Sequence, residues 1–242
     1  MLKKPLRAFL LSAGLGTRLR PLTDEIPKCL LPVRGRPLLR IWLEHLERHG
    51  IDEVVVNTHW HHEKVDDFLN DYEPSRLKII PFHEPTLLGS AGTLLANKTW
   101  VGNGAPFFIL YGDNLTDVNL GTMLAFHCQH GLPFTLGVFR AEDPRRCGIA
   151  ETEDDGLVTD FVEKPEHPKS DKAAAGIYVA DSRIYEFFPK EGSAESPLDL
   201  GLHVIPRMVR KMKAYHIDFL MDIGTPRSYL DAQELWAART GR

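Results

Sequence analysis

The sequence of 242 residues is poor in cysteine, nearly balanced in charge and without a long apolar run. Its three cysteines, Cys29, Cys128 and Cys147, are odd in number and widely spaced, with no Cys-x-x-Cys or Cys/His ligand pattern. That excludes a disulfide framework and a cysteine zinc site, and a reducing, cytoplasmic compartment is expected. The formal net charge of −4 offers no bulk attraction to nucleic acid or to an anionic membrane, and neither is expected as a partner. Any cations that bind phosphate must therefore be concentrated locally. No stretch approaches the roughly 18 apolar residues that a membrane span requires. Lys3, Lys4 and Arg7 precede Ala8-Phe9-Leu10-Leu11-Ser12-Ala13 in the manner of a secretory leader, but that stretch is short and runs through Gly14 and Gly16 into Arg18 and Arg20. In a cytoplasmic chain the triplets Asn97-Lys98-Thr99 and Asn114-Leu115-Thr116 are chance matches to a glycosylation signal.

What is present is the composition of an ordinary globular protein, with 43% hydrophobic and 26% charged residues in a chain long enough for a sizeable core. Short β-branched or apolar runs alternate with helix-period segments. Strands are expected at residues 7–11, 53–57, 77–80 and 107–111, with helices at 37–49, 63–69 and 91–97 between them. That rhythm predicts a doubly wound, Rossmann-like α/β half over about residues 1–130. Over about 131–242 the strands 134–140, 148–151, 157–163 and 173–179 follow with few helices between, and Asp154-Asp155-Gly156 signals a hairpin. Helices are expected at 200–211 and 226–238, the latter with Thr225 as N-cap and Pro226 at its first position. With no linker and no internal repeat, residues 1–242 read as one domain with a mixed sheet flanked by helices.

The most informative segment is Leu10-Leu11-Ser12-Ala13-Gly14-Leu15-Gly16-Thr17-Arg18, a glycine-rich turn at the C-terminal end of the first strand. Open α/β sheets bind ligands there, glycines let backbone N–H groups approach phosphate oxygens, and Arg18 adds a fork of donors. A dinucleotide fingerprint would need a third glycine where Leu19 stands, and no Gly-Lys-Ser/Thr of a Walker loop occurs. A bare Gly-x-Gly also suits a plain turn. The continuation Pro27-Lys28-Cys29-Leu30-Leu31-Pro32-Val33 supplies a lysine between a proline and an apolar run, able either to return to the loop or to sit on the surface.

Together these two segments resemble the signature of the sugar-1-phosphate nucleotidylyltransferases. Tyr111-Gly112-Asp113-Asn114, Phe161-Val162-Glu163-Lys164-Pro165, Ala175-Gly176-Ile177-Tyr178-Val179 and Asp222-Ile223-Gly224-Thr225-Pro226 continue the resemblance in order along nearly the whole chain. It implies the nucleotide-diphospho-sugar transferase fold, without a C-terminal β-helix. It also implies a nucleoside triphosphate and a sugar 1-phosphate as substrates, Mg²⁺ as cofactor and, by family habit, a homodimer. Leu11, Ala13, Gly14, Gly16, Thr17, Arg18 and Lys28 would hold the triphosphate, and Gly89 and Ser90 would lie against the nucleobase. Asp113 and Asp222 would hold Mg²⁺, Glu163 and Lys164 would bind sugar and phosphate, and the backbone at Gly148 and Gly176 would approach the sugar. Arg18, Lys28 and Asp113 would carry catalysis. Ala13 departs from the second glycine of many members.

Plainer readings stand beside these. Asp113 and Asp222 also suit turns, and Glu163-Lys164 also suits an exposed pair. His59, His61 and His62 lack metal-ligand spacing and read as a loop or helix start. Ser12 lacks a His/Asp partner or a nucleophile elbow. Within the family, the segment from Val204-Ile205-Pro206-Arg207 to Asp222 resembles the mannose-1-phosphate guanylyltransferases most, so GTP with mannose 1-phosphate is expected. UTP or dTTP with glucose 1-phosphate and GTP with a heptose 1-phosphate are the alternatives. A non-catalytic sugar-nucleotide sensor is the alternative from another class, and joint retention of Arg18, Lys28, Asp113, Lys164 and Asp222 counts against it.

Overall fold

The computed structural model describes residues 4–102, 105–190 and 197–240; Lys3 lies outside them. In chain order the strands and helices are β1 (Arg7–Leu11), β2 (Pro32–Val33), β3 (Arg36–Pro37), α1 (Leu38–Arg48), β4 (Glu53–Thr58), α2 (His62–Asp71) and β5 (Lys78–His83). Then come α3 (Ser90–Ala96), α4 (Lys98–Val101), β6 (Phe107–Tyr111), β7 (Asn114–Thr116), α5 (Leu120–His130), β8 (Phe134–Arg140), β9 (Gly148–Thr152) and β10 (Val158–Glu163). The last are β11 (Lys172–Ala180), α6 (Leu200–His203), β12 (Met212–His216), β13 (Leu220–Asp222) and α7 (Pro226–Thr240). This is the expected α/β class with a mixed sheet. The chain divides into two compact units.

One unit comprises Ala8–Leu87, Leu110–Asp117 and Leu220–Arg242. Its sheet runs β6-β1-β4-β5, with β4 and β5 parallel. Val54, Val55 and Val56 are all buried, as expected of a strand covered on both faces. Helix α1 forms because Leu38, Leu39, Ile41, Trp42, Leu43 and Leu46 make one wide buried stripe. It ends where Gly50 takes a φ of +69°, a conformation that costs glycine little. Each such leucine fully buried stabilises the fold by about 1.5–3 kcal/mol. Strand β5 runs further than the expected 77–80, through Pro81. It is an edge strand, where the missing N–H of a proline breaks no ladder. Two small ladders complete the unit, β2 with β3 and β7 with β13, both antiparallel. Helix α7 starts as predicted, with Thr225 Oγ1 accepting from the Ser228 N–H at 3.1 Å. It also grips β2, since Tyr229 Oη and Gln233 Nε2 donate to the Pro32 carbonyl at 2.7 and 2.9 Å.

The other unit comprises Met1–Arg7, Leu88–Ile109 and Val118–Phe219. Its strand order is β10-β9-β11-β6, with β8 paired to β11 and to β12. Phe107, Phe108, Phe134, Leu136, Ile177 and Val179 are buried. The predicted hairpin is present between β9 and β10. Gly156 turns it at a φ of +84°, and the Glu153 N–H donates to the Leu157 carbonyl at 2.9 Å. Helix α5 carries no strong periodic signal, because its buried positions are Leu120, Met123 and His127 and Gly121 sits in its first turn. Its caps do mark it: Asn119 accepts from the Thr122 N–H at 3.0 Å and Gly131 closes it at a φ of +66°. The helix expected over 200–211 is corrected. It ends at His203, and Ile205–Met208 forms a 3₁₀ turn, because Pro206 lacks the N–H that would continue it.

Candidate active site

In the first unit described, β1 ends at Leu11 and the glycine-rich loop follows. Ala13 is buried and Gly14 is open, with no atom near the place a Cβ would occupy. Gly16 has a φ of +65°, and a Cβ there would stand 2.9 Å from Thr23 Cγ2. Thr23 is buried and its hydroxyl donates to the Gly16 carbonyl at 2.7 Å. Thr17, Arg18 and Leu19 form a 3₁₀ turn in which Leu19 is buried and Arg18 stays exposed. The buried leucine anchors the turn and lets the guanidinium project. Three further bonds tie down the segment beyond: Trp60 Nε1 to the Thr23 carbonyl (3.0 Å), His61 Nε2 to that of Asp24 (2.8 Å) and Lys64 Nζ to that of Glu25 (2.6 Å). Of the histidine cluster, His61 serves this latch and His62 sits 3.2 Å from Asp66 Oδ2 at the start of α2.

Lys28 lies in a second 3₁₀ turn, Lys28–Leu30, introduced by Pro27 and anchored by buried Cys29. Burial pushes the Cys29 thiol up to about 12, so it stays a neutral core group. The Lys28 side chain is only 10% exposed, and its Nζ lies 2.6 Å from Asp113 Oδ2 and 3.4 Å from Asp222 Oδ1. Two carboxylates thus converge on one buried ammonium, a pairing that offsets the cost of burying its charge. Arg18 stands 3.8 Å from Asp222, and both are half exposed, so that pair contributes little to stability. Gly112, just before Asp113, packs where a Cβ would meet Ser12 Oγ at 2.5 Å. A Cβ on Gly224 would stand 2.5 Å from Asp222 Oδ2 and 2.8 Å from Arg18 Nη2, so a side chain there would displace both charged groups. From sequence alone Gly224 is one member of the Asp222-Ile223-Gly224-Thr225-Pro226 motif with no role of its own. Among the described residues no group of three or more His, Cys, Asp or Glu side chains is placed to hold a metal ion. The oxygen pair on Lys28 is the arrangement that gathers around a cation.

The other unit holds Gly89, Ser90, Gly148, Glu163, Lys164 and Gly176. Gly148 lies opposite Glu163 across the β9–β10 ladder. A Cβ on Gly148 would stand 2.5 Å from Glu163 Oε2, and one on Gly201 would stand 2.7 Å from it. Two glycines therefore cradle that carboxylate. Burial, with help from nearby Asp199, raises the Glu163 carboxyl above the ordinary range, while Lys164 opposes the rise. Among the described residues no donor reaches the carboxylate within hydrogen-bonding distance; Lys164 Nζ stands 3.8 Å away. Lys164 itself has a φ of +50°, and its N–H is fixed on the Cys147 carbonyl at 3.0 Å. Gly176 has a φ of +65° inside the irregularity of β11 between Ala174 and Tyr178.

Gly89 and Ser90 are bound to the segment that leads into α6. Leu198 N–H donates to the Leu88 carbonyl (2.8 Å), and Gly89 has a φ of +80° with no room for a Cβ, which would fall 2.4 Å from the Leu198 carbonyl oxygen. Ser90 Oγ donates to Asp199 Oδ2 (3.0 Å) and accepts from the Leu200 N–H (2.8 Å). Asp199 and Gly201 thus join Glu163, Ser90 and Gly148. Sequence reasoning missed both, because Leu198-Asp199-Leu200-Gly201 carries no motif. Among the described residues no helix is long and apolar enough to cross a membrane.

The family model described as nucleotidyl transferase matches residues 7–239. The chain is 32% identical over 235 residues to the mannose-1-phosphate guanylyltransferase catalytic subunit beta of Drosophila melanogaster, covering 95% of this chain and 62% of that protein. It is 33% identical over 238 residues to mannose-1-phosphate guanylyltransferase 1 of Arabidopsis thaliana, covering 96% and 64%. The chain therefore spans a little under two thirds of the length of these relatives. Among solved structures, HddC from Yersinia pseudotuberculosis superposes with a TM-score of 0.79 at 23% identity, covering 96% of this chain and 99% of that one. A UDP-glucose pyrophosphorylase complexed with UDP-glucose gives 0.82 at 19% identity, covering 98% and 100%. At those identities the likeness establishes the fold, and the match over 7–239 establishes the lineage: the chain belongs to the nucleotidyl transferase family.

Proposed function

We propose that the chain transfers a nucleotidyl group from a nucleoside triphosphate to a sugar 1-phosphate, with GTP and mannose 1-phosphate as the pair. The observation that carries this is the convergence of Asp113 and Asp222 on Lys28, beside the glycine-rich loop's Arg18. The choice of pair is supported by relatives named mannose-1-phosphate guanylyltransferases at 32% and 33% identity.

In the reaction an anionic oxygen of the sugar phosphate attacks the α-phosphorus. A new P–O bond forms, the bond to the β-phosphate oxygen breaks, and pyrophosphate leaves with the electron pair. The nucleophile needs no general base, so catalysis is positioning and neutralisation of charge. The backbone at Leu11, Ala13, Gly14, Gly16 and Thr17 holds the triphosphate, and Arg18 and Lys28 offset its charge. Lys164 holds the sugar phosphate, and Glu163, lacking a donor of its own among the described residues, accepts from sugar hydroxyls. The backbone at Gly148 and Gly176 lies against the sugar, with Gly89 and Ser90 on the nucleobase side. Asp113 and Asp222 would hold Mg²⁺: both offer hard carboxylate oxygens, the donor type that ion prefers, and they already converge on a cation. When bound, it would draw charge from the reacting phosphates.

The test is pyrophosphate release with Mg²⁺, across the nucleoside triphosphates and deoxynucleoside triphosphates against mannose, glucose, N-acetylglucosamine and heptose 1-phosphates. Release that requires GTP and mannose 1-phosphate supports the pair. Release with UTP or dTTP and glucose 1-phosphate, or with GTP and heptose 1-phosphate, keeps the class and replaces the pair. No release from folded protein that binds a nucleotide overturns the enzyme assignment in favour of a sensor.

A further inference from the structure

Behind the glycine-rich loop lies a polar relay through Asn57 and Glu84, two buried residues that neither the motifs nor the reaction uses. Ser12, the first residue after β1, donates its backbone N–H to Asn57 Oδ1 at 2.6 Å. Asn57 sits on β4 and donates its own Nδ2 to Glu84 Oε1 at 2.9 Å. Asn57 is 4% exposed and Glu84 1%. Glu84 is fixed at both ends of its peptide: its N–H donates to the Thr58 carbonyl (2.8 Å), and His59 Nδ1 lies 2.7 Å from its carbonyl oxygen. His59, the remaining member of the histidine cluster, is thus part of this clamp.

The chemistry of the three groups sets a direction. An asparagine side chain presents an acceptor on one end and a donor on the other, whereas a carboxylate only accepts. Glu84 therefore selects which end of Asn57 faces it, and Oδ1 is left to face Ser12. Reversed, the amide would turn its NH₂ group on the Ser12 N–H, setting two donors against each other and leaving the half-buried N–H without this acceptor. Ser12 is also where the loop touches the acid-bearing turn. Its Oγ occupies the space where a Gly112 Cβ would fall, and the Gly112 N–H donates to the Leu11 carbonyl at 2.9 Å. Gly112 immediately precedes Asp113.

We infer that Asn57, oriented by Glu84, is a positioning residue that sets the Ser12 end of the loop for triphosphate binding. This rests on the proposed use of that loop, so the wild-type chain is tested first. Calorimetric titration with inorganic tripolyphosphate and Mg²⁺ should show binding, and pyrophosphate release should give separate KM values for nucleotide and sugar phosphate. A wild type that does not bind tripolyphosphate overturns the use of the loop and the relay with it. If the wild type binds, the variants judge the relay alone. Asn57→Ala is expected to weaken tripolyphosphate binding and raise the nucleotide KM by about tenfold, leaving the sugar-phosphate KM within about twofold. A lower Tm with tripolyphosphate binding and both KM values unchanged, or an equal rise in both KM values, would show a merely structural role and overturn the inference.

A second pair of variants covers failure of Asn57→Ala to fold. Asn57→Asp alone sets two buried carboxylates against each other and is expected to be severely impaired. Adding Glu84→Gln supplies a donor to the introduced carboxylate, which still accepts from the Ser12 N–H, and should restore tripolyphosphate binding to within about threefold of wild type. If the double variant is no better than Asn57→Asp, folded or not, the pairing is wrong.

Discussion

Asp222 lies directly opposite Asn114 in the β7–β13 ladder, and the Ile223 N–H donates to the carbonyl of Asp113 at 3.0 Å. Backbone pairing, not side-chain attraction, therefore sets the two carboxylates next to each other. Trp42 holds the same ladder from α1, donating Nε1 to the Asn114 carbonyl at 2.8 Å. Two like charges held together by rigid backbone are favoured by a cation between them, and Lys28 Nζ stands there.

Asp113→Asn keeps the shape of the side chain and removes its charge. Turnover should fall by about 10²–10³-fold while the far-ultraviolet circular dichroism stays that of wild type; Tm should drop, because buried Lys28 is left with the more distant Asp222 as its charged partner. A folded Asp113→Asn enzyme with ordinary kcat would remove Asp113 from the chemistry.

Lys28→Met leaves Asp113 and Asp222 facing each other without their ammonium. The variant should lose Tm in EDTA and regain more of it than wild type does when Mg²⁺ is added, since a ligand that binds only the folded form stabilises it. Thermal melts with and without Mg²⁺ measure this directly. Equal Mg²⁺ responses in the two proteins would mean that the carboxylates do not bind the ion.

Gly148→Ala would drive a Cβ to 2.5 Å from both Glu163 Oε2 and Phe161 Cζ. Backbone pairing fixes the strand, so the Glu163 side chain must move. The KM for sugar phosphate should rise by about tenfold or more, and the KM for nucleotide should stay within about twofold. Initial-rate kinetics with each substrate varied in turn separate the two, and a parallel rise in both would contradict the cradle.

Acid should destabilise the unit that contains α5. Burial pushes His127 down to about 4, and His130 is lowered by the same cause. Both rings lie within 2.9 Å of the Thr135 hydroxyl. An ordinary histidine titrates near 6.5, so below that pH the unfolded chain binds protons that the folded chain refuses. The stability from neutral His127 is therefore fully present above about pH 6.5 and is lost as pH falls towards about 4, by up to roughly 3 kcal/mol. Urea midpoints at pH 7.5 and pH 5 should differ less for His127→Gln than for wild type. An unchanged difference would assign the acid sensitivity to other groups.

Strands β1, β6 and β8 lie where the sequence predicts them, because each carries a run of consecutive buried side chains. The same is true of the cap of α7 and of the hairpin at Gly156, which depend on residues close together in the chain. Strand β5 and helix α5 were harder to read. Pro81 is tolerated only because β5 lies at an edge, which depends on strands distant in sequence, whereas α5 has a sparse buried stripe and is marked by its caps instead.

The candidate residues divide in the same way. Local sequence determined the glycine-rich turn, the exposed Arg18, the Lys28 turn behind Pro27 and the membership of a family whose motifs recur in order. Tertiary structure alone decided that Lys28 would be held between Asp113 and Asp222, that Gly148 and Gly201 would make room for Glu163, and that Asn57 and Glu84 would hold Ser12. Local signals arise from the conformational preferences of a few adjacent residues, whereas a converging site depends on which strand ends meet. That is decided when β4 pairs with β5 and β7 with β13, and no single segment encodes it.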